Sequence, residues 1–102
     1  MSRATISTHV LDLADGKPAA GVAVTLGSGS TATTDASGRI AELVPGGIEL
    51  GRHQLVFDLR TYFGRRPHLV DRVTLDLVVD EARHYHVPLL ISPYGLSSYR
   101  GS

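Results

Sequence analysis

Residues 72–92 read RVTLDLVVDEARHYHVPLLIS, and this stretch holds two runs in which apolar residues occupy every second position. The alternating apolar residues are Val73, Leu75, Leu77 and Val79 in the first run, and Tyr85, Val87, Leu89 and Ile91 in the second. Successive side chains of a β-strand point to opposite faces of the sheet, so a period of two is typical of a strand with one buried face. We therefore predict two strands here, the second running from His84 to Ser92.

The same period of two appears elsewhere in the chain. The alternating positions are, in chain order, Ile6, Thr8 and Val10; Val22, Val24 and Leu26; and Leu55, Phe57 and Leu59. In the first of these segments, which we predict to be a strand over residues 5–11, the opposite face carries Ser7, His9 and Leu11. A final strand is predicted from about Leu96 to the end of the chain.

Turn-forming residues separate these segments at 15–18, 27–30, 37–38, 45–47 and 92–95. No apolar pattern of helical period extends over ten residues, and only residues 61–70 have room for one short helix. Short alternating strands without crossover helices predict an all-β protein, a two-sheet antiparallel β-sandwich with at most one short helix. Because no linker or repeat divides the chain, we predict a single domain over residues 1–102.

The composition excludes several classes of protein. Lys+Arg and Asp+Glu are both 10, so the chain lacks the basic surplus with which proteins grip nucleic acids. It also lacks the run of roughly 18 to 20 apolar residues that a membrane span requires. It has no cysteine, which excludes disulfides and thiolate zinc sites, and no secretion-signal pattern at its start, so we expect a cytoplasmic protein.

Histidines and a proline complicate the strand predicted over residues 84–92. His84 and His86 are two residues apart and therefore share the face opposite the apolar one. Such a pair can bind a metal ion together or simply form part of a polar face. Pro88 has no N–H to donate to a neighbouring strand, so this strand is expected to be irregular, to lie at an edge or to be exposed on its histidine face.

Several blocks of the sequence resemble one known family and follow that family's order. The blocks are Thr8–Asp12 (THVLD), Gly16–Ala19 (GKPA), Thr34–Arg39 (TDASGR), Tyr62-Phe63, His84–Pro93 (HYHVPLLISP) and Tyr99–Ser102 (YRGS). With these blocks the chain resembles the 5-hydroxyisourate hydrolases, the enzyme branch of the transthyretin-like (prealbumin-like) family. The terminal block is the most specific part of the resemblance, because in this family it separates the enzymes from the transthyretin hormone carriers.

The resemblance implies an activity, an assembly and a site. The activity is hydrolysis of the cyclic amide of 5-hydroxyisourate, the unstable product of urate oxidation, to 2-oxo-4-hydroxy-4-carboxy-5-ureidoimidazoline, without metal or cofactor. The assembly is a homotetramer, a dimer of dimers, with sites in the channel between dimers. The implied catalytic residues are His9, Arg39, His86 and Ser102, and the implied substrate-binding residues are Tyr99, Arg100 and Arg39.

The chemistry of these residue types suits such a reaction. An ordinary histidine pKa lies near 6.5, so His9 or His86 can take a proton from water while the other orients the water or protonates the leaving nitrogen. Which histidine is the base stays open. Arg39 carries a permanent planar charge suited to anchoring the substrate and stabilising an oxyanion. The Ser102 hydroxyl is expected to bind substrate or water, since no Ser-His-Asp pattern supports a covalent nucleophile.

The remaining polar residues have simpler interpretations. We expect His84 to be a polar neighbour of the site, and the arginines at 60, 65, 66 and 72 to form a solvated face. Tyr62-Phe63 is expected to serve packing. The alternative function is a non-catalytic transthyretin-like tetramer that binds a small ligand, and a β-sandwich interaction domain is a third possibility.

Overall fold

Two β-sheets and one short helix make up the computed structural model, which describes residues 3–27 and 29–101. The strands follow the alternating segments closely. In chain order the elements are β1 (Arg3–Asp12), β2 (Lys17–Pro18), β3 (Ala23–Leu26), β4 (Ser30–Thr33), β5 (Arg39–Ile40), β6 (Ile48–Glu49), β7 (Gly51–Asp58), α1 (Arg60–Phe63), β8 (Arg72–Val79), β9 (His84–Ser92) and β10 (Gly95–Ser98).

The first sheet is built around β1 and β9. Its order is β10-β9-β1-β2, and the short strands β5 and β6 also pair with β1. The β1–β9 pair is parallel, with Ser7 opposite His86 and His9 opposite Pro88. The other pairs of described strands are antiparallel. The predicted antiparallel sandwich is therefore confirmed, with one parallel pair at its centre.

The second sheet has the order β4-β3-β7-β8 and packs its apolar face against the first. Burial of the alternating residues is the main stabilising contribution, because apolar side chains of both inner faces leave water together. The residues predicted to face inward are confirmed there. The fully buried large side chains include Ile6, Val10, Val22, Val24, Leu55, Phe57, Leu89 and Ile91.

Pro88 lies in the interior of the first sheet and not at an edge. It is buried beside β1 and the end of β10, and β9 is continuous through it, so of the three alternatives the exposed histidine face is the correct one, with His84 exposed. The β9–β10 register continues past Ser98 to a bridge between His86 and Gly101, but regular pairing is broken at residues 99 and 100. The register puts Tyr99 opposite Pro88, which has no N–H to donate. The Ser98 hydroxyl instead donates to the Pro88 carbonyl oxygen at 2.7 Å.

The segment after β7 is held by a buried carboxylate at the end of β1. The Tyr62 hydroxyl and an Arg66 N–H donate to Asp12 Oδ2 at 2.6 and 3.0 Å, and the backbone N–H groups of Ala14 and Asp15 donate to Oδ1. The prediction that Arg66 belongs to a solvated face is therefore wrong. Its guanidinium lies against Asp12, because a buried carboxylate is unfavourable without hydrogen-bond donors or an opposite charge beside it.

The one helix in the described part of the chain has four residues. No helix there is long and apolar enough to cross a membrane.

Candidate active site

Three of the residues predicted to be catalytic share the outer face of the first sheet. His9 on β1 lies directly opposite Arg39 on β5, and His86 on β9 lies opposite Ser7, two residues before His9. Directly paired residues point to the same side of a sheet, and the neighbours Thr8 and Val10 point into the core. His9, Arg39 and His86 therefore project from one surface.

A tight turn before β5 positions Arg39. The Asp35 carboxylate accepts hydrogen bonds from the backbone N–H groups of Ser37 and Arg39, at 2.8 and 3.0 Å. Those two N–H groups hold the pKa of Asp35 below its ordinary value. Gly38, with φ of +75°, lets the turn lie against β1, since a Cβ there would clash with the Val10 carbonyl oxygen. The backbone is thus fixed beneath Arg39.

The Arg39 guanidinium itself faces solvent. Within residues 3–27 and 29–101, no hydrogen bond or ion pair engages its side-chain nitrogens. A guanidinium without a protein partner keeps its donors for an anionic or carbonyl-rich ligand.

The hydrogen bond that His9 makes sets its tautomer. Its Nε2 lies 2.9 Å from the Ser37 carbonyl oxygen, which can only accept a hydrogen bond. Nε2 therefore carries the proton, and neutral His9 has its lone pair on Nδ1. This leaves Nδ1 as the nitrogen that can take a proton from a bound water.

His86 is the more enclosed of the two histidines. Burial lowers the pKa of His86, and the positive charges of Arg39, His84 and His9 lower it further. Its Nδ1 lies 2.7 Å from the Ser7 hydroxyl. His86 thus stays neutral to lower pH than an ordinary histidine does, as a general base requires, and its Nε2 remains for the substrate.

The chain end passes directly over the His86 ring. The Gly101 N–H donates to the His86 carbonyl oxygen at 2.7 Å, and a Cβ on Gly101 would lie 2.7 Å from His86 Cδ2. Only a glycine fits in this space without moving the ring. Gly101 therefore sets the position of His86.

We expect the Gly101→Ala substitution to lower kcat by about tenfold to a hundredfold, because it displaces an acid-base group from its working position. The matched control is Gly95→Ala, where a Cβ would make only an ordinary contact with Ser92 Oγ at 3.7 Å. Steady-state kinetics of both variants check this. Equal rates for the two variants would contradict the positioning role.

Of the other predicted site residues, the structure describes Tyr99 and Arg100. Tyr99 and Arg100 follow the end of β10 at Ser98, are exposed, and line a groove between β8 and β9. Ser102, predicted to be catalytic, lies outside the described residues. In the described part of the chain, no group of three His, Cys, Asp or Glu side chains is arranged to hold a metal ion.

Comparison with known proteins identifies the family of this chain. Residues 6–101 match the sequence model of the HIUase/Transthyretin family. The chain belongs to this family. It is similar to the 5-hydroxyisourate hydrolase of Mesorhizobium japonicum, with 43% identity over an alignment of 113 residues, which covers 95% of this chain and 91% of that protein.

Solved structures of the HIUase/Transthyretin family have the same fold. A 5-hydroxyisourate hydrolase of Klebsiella pneumoniae superposes with a TM-score of 0.87 and 40% identity, covering 97% of this chain and 94% of that one. Sea bream transthyretin, solved in complex with thyroxine, superposes with a TM-score of 0.83 and 24% identity, covering 94% and 93%. The second match shows the fold alone.

Sequence reasoning missed two hydroxyl residues of this HIUase/Transthyretin chain. Ser7 contacts both His84 and His86, and Thr5 contacts His84. The period of two already placed Thr5, Ser7 and His9 on one face of β1. The parallel pairing with β9 puts the histidines beside them, and the sequence alone gives no sign of that pairing.

Proposed function

We propose that this protein hydrolyses the cyclic amide of 5-hydroxyisourate to 2-oxo-4-hydroxy-4-carboxy-5-ureidoimidazoline. The observation that carries the proposal is the placement of His9, Arg39 and His86 on one open face, where two histidine nitrogens and a guanidinium have no partner among residues 3–27 and 29–101. The names of the relatives in Mesorhizobium and Klebsiella, at 43% and 40% identity, support the same substrate.

In the proposed reaction, a histidine takes a proton from water as the water oxygen bonds to the amide carbonyl carbon. Arg39 stabilises the negative charge that develops on the carbonyl oxygen. The carbon–nitrogen bond then breaks, and a histidine returns a proton to the leaving nitrogen. His9 Nδ1 and His86 Nε2 are the two candidate atoms for the proton transfers.

The terminal residues complete the proposed site. We assign substrate binding to Tyr99 and Arg100, together with Arg39, and a hydrogen bond to substrate or water to Ser102. A phenol, a guanidinium and a hydroxyl can each donate a hydrogen bond, and the carbonyl oxygens of a carbonyl-rich ring can accept it.

The experiment that tests the function follows 5-hydroxyisourate generated in place from urate by urate oxidase. We expect its ultraviolet absorbance to decay faster with this protein than without it, and the product to show circular dichroism. The control without protein is needed because the substrate also decays unaided. Decay equal to that control, from folded protein, would mean a ligand-binding protein and not a hydrolase.

We propose a tetramer, a dimer of dimers, in the cytoplasm. The strands β8 and β10 are free edges on the same side of the sandwich, and a largely apolar groove runs between their sheets. Free edges and exposed apolar surface favour pairing with another copy. On the outer face, Leu11 and Leu90 pair beside the site, which supports contact between dimers there.

The composition supports the proposed cytoplasmic location, because a chain without cysteine needs no oxidising compartment.

We expect Leu90→Lys to prevent contact between dimers and to lower activity, because a charge would have to be buried at that contact. Sedimentation velocity, activity and far-ultraviolet circular dichroism measured on the same samples check this. Leu69→Lys is the matched control, since Leu69 is 76% exposed in a loop. A Leu90→Lys species of reduced mass and full activity would show that the site does not need the tetramer.

A further inference from the structure

A continuous chain of hydrogen bonds connects His86 through Ser7 and His84 to Thr5. Ser7 Oγ lies 2.7 Å from His86 Nδ1 and 2.8 Å from His84 Nε2, and Thr5 Oγ1 lies 2.6 Å from His84 Nδ1. The parallel register sets these contacts, because it places Ser7 opposite His86 and Thr5 opposite His84. Ser7 is buried, whereas His84 is exposed.

The Ser7 hydroxyl allows only two arrangements of protons. It has one proton, so it donates to one of its two histidine neighbours and accepts from the other. If His86 Nδ1–H donates to Ser7 and Ser7 donates to His84 Nε2, the lone pair of His86 is on Nε2 and this histidine is a base. If all the hydrogen bonds reverse, His86 carries its proton on Nε2 and is an acid.

We propose that Ser7 and His84 relay protons for His86, converting it from base to acid within each turnover. After His86 Nε2 takes a proton from water, the Nδ1–H bond breaks as an O–H bond forms at Ser7. The original Ser7 O–H bond breaks as an N–H bond forms at His84 Nε2. His86 is then neutral with its proton on Nε2, and His84 carries the positive charge.

The return step restores the starting state. His86 gives its Nε2 proton to the leaving nitrogen, Ser7 returns a proton to His86 Nδ1, and His84 returns one to Ser7. The net result is the transfer of one proton from water to the leaving group.

The surroundings of the two histidines favour this movement of charge. His86 is partly buried, and the positive charge of Arg39 disfavours an imidazolium there. His84 is exposed, so its charged form keeps contact with water. The charged and titratable groups acting on His86 are Arg39 on β5, His9 on β1 and His84 on its own strand. Ser7 and His84 act through His86 and are positioning residues.

This relay rests on the proposed hydrolase function, so its first test needs no substrate. Nitrogen-15 NMR of the imidazole rings reports which nitrogen of neutral His86 carries the proton. We expect the Nδ1–H form in the unmodified protein, and its loss in Ser7→Ala, where the acceptor for Nδ1–H is removed. An unchanged tautomer in Ser7→Ala would overturn the proposal, whether or not the protein is a hydrolase.

The second test separates proton transfer from simple orientation. Gln at position 84 can still accept a hydrogen bond from Ser7, but it cannot take up a proton. We expect His84→Gln to lower kcat by about tenfold, less than the loss on removing an acid-base group itself, with little change in KM.

The control for this test is Thr31→Val, which removes the exposed Thr25–Thr31 hydroxyl pair from the second sheet, and it should behave as the unmodified protein. A His84→Gln enzyme with unchanged kcat would exclude the relay. An inactive unmodified protein with the expected His86 tautomer would contradict the function and leave the arrangement of protons supported.

Discussion

Replacing His86 with alanine is expected to lower kcat by about two orders of magnitude or more, because a positioned acid-base group contributes roughly 10²- to 10⁴-fold. His9→Ala is expected to have an effect of the same order. Neither side chain is part of the buried core, so the sandwich should remain folded in both variants. Steady-state kinetics with 5-hydroxyisourate, together with far-ultraviolet circular dichroism, check this prediction.

The matched control is His53→Ala, because His53 lies on the second sheet and, among the described residues, its side chain hydrogen-bonds only to the Glu49 carbonyl oxygen. We expect this variant to keep the full rate. Near-normal kcat in both His9→Ala and His86→Ala would mean that neither histidine carries the proton chemistry.

The dependence of the hydrolysis rate on pH follows from the lowered pKa of His86. Burial, then the charges of Arg39, His84 and His9, lower the pKa of His86 below 6.5. A base with a lowered pKa stays deprotonated to lower pH, so the rate should fall on the acid side with a midpoint below 6.5. An acid-side midpoint above 6.5 would assign the essential base to another group.

Asp12→Asn is expected to destabilise the protein by about 3 kcal/mol, since it leaves the groups around a buried carboxylate imperfectly paired. An asparagine keeps an oxygen for the backbone N–H groups of Ala14 and Asp15. Its amide, however, presents donors to the Tyr62 hydroxyl and to Arg66, which are themselves donors to Asp12. Thermal unfolding should show a midpoint lower by about 10 to 20 °C for a domain of this size.

The pH dependence of this loss follows from the pKa of Asp12. Burial raises that pKa, but hydrogen bonds from Tyr62, the Asp15 N–H and Arg66, with the charge of Arg66, outweigh burial and hold it below 3.8. Stability from a depressed carboxyl pKa is complete above the unfolded value and is lost as pH falls through the folded one. The difference between Asp12→Asn and the unmodified protein should therefore shrink in acid.

Asp15→Asn is the matched control for the same ion-pair network. Asp15 also accepts from Arg66, at 3.1 Å, but its side chain is 43% exposed and solvent screens the pair. We expect almost no change in its unfolding midpoint. Equal destabilisation by Asp12→Asn and Asp15→Asn would show that burial of Asp12 is not the cause.

The face that carries His9, Arg39 and His86 was partly predictable from local patterns. Alternation alone placed Ser7 and His9 together on one strand, and His84 and His86 together on another, because strand geometry fixes the face of each side chain. The family resemblance added Arg39 and the terminal residues. Periodicity says nothing about which strands are neighbours, so the contact of Ser7 with both histidines was not predictable.

Tertiary contacts also explain why the surroundings of Arg66 and Pro88 were not predicted correctly. Arg66 looked like one of several surface arginines, yet it reaches Asp12, 54 residues away in the chain. Pro88 was expected to make its strand irregular, to place it at an edge or to leave its histidine face exposed, and the structure places it inside a continuous β9, just past the last residue that pairs with β10. For Arg66 the energetic reason is a partner that is distant in sequence, whereas the strand whose pairing ends beside Pro88 is the next one along the chain.

The sequence by itself determined the β-sandwich class, the inward and outward faces of the strands, and the residue types available for acid-base chemistry. These follow from the period of two and from local turn chemistry, which act over a few residues. The tertiary structure alone decided that β1 and β9 run parallel, and hence that Ser7 joins His84 to His86. It also decided that the β9–β10 register continues far enough to lay Gly101 against His86. Strand register depends on the packing of the whole sandwich, and no short segment of this chain encodes it.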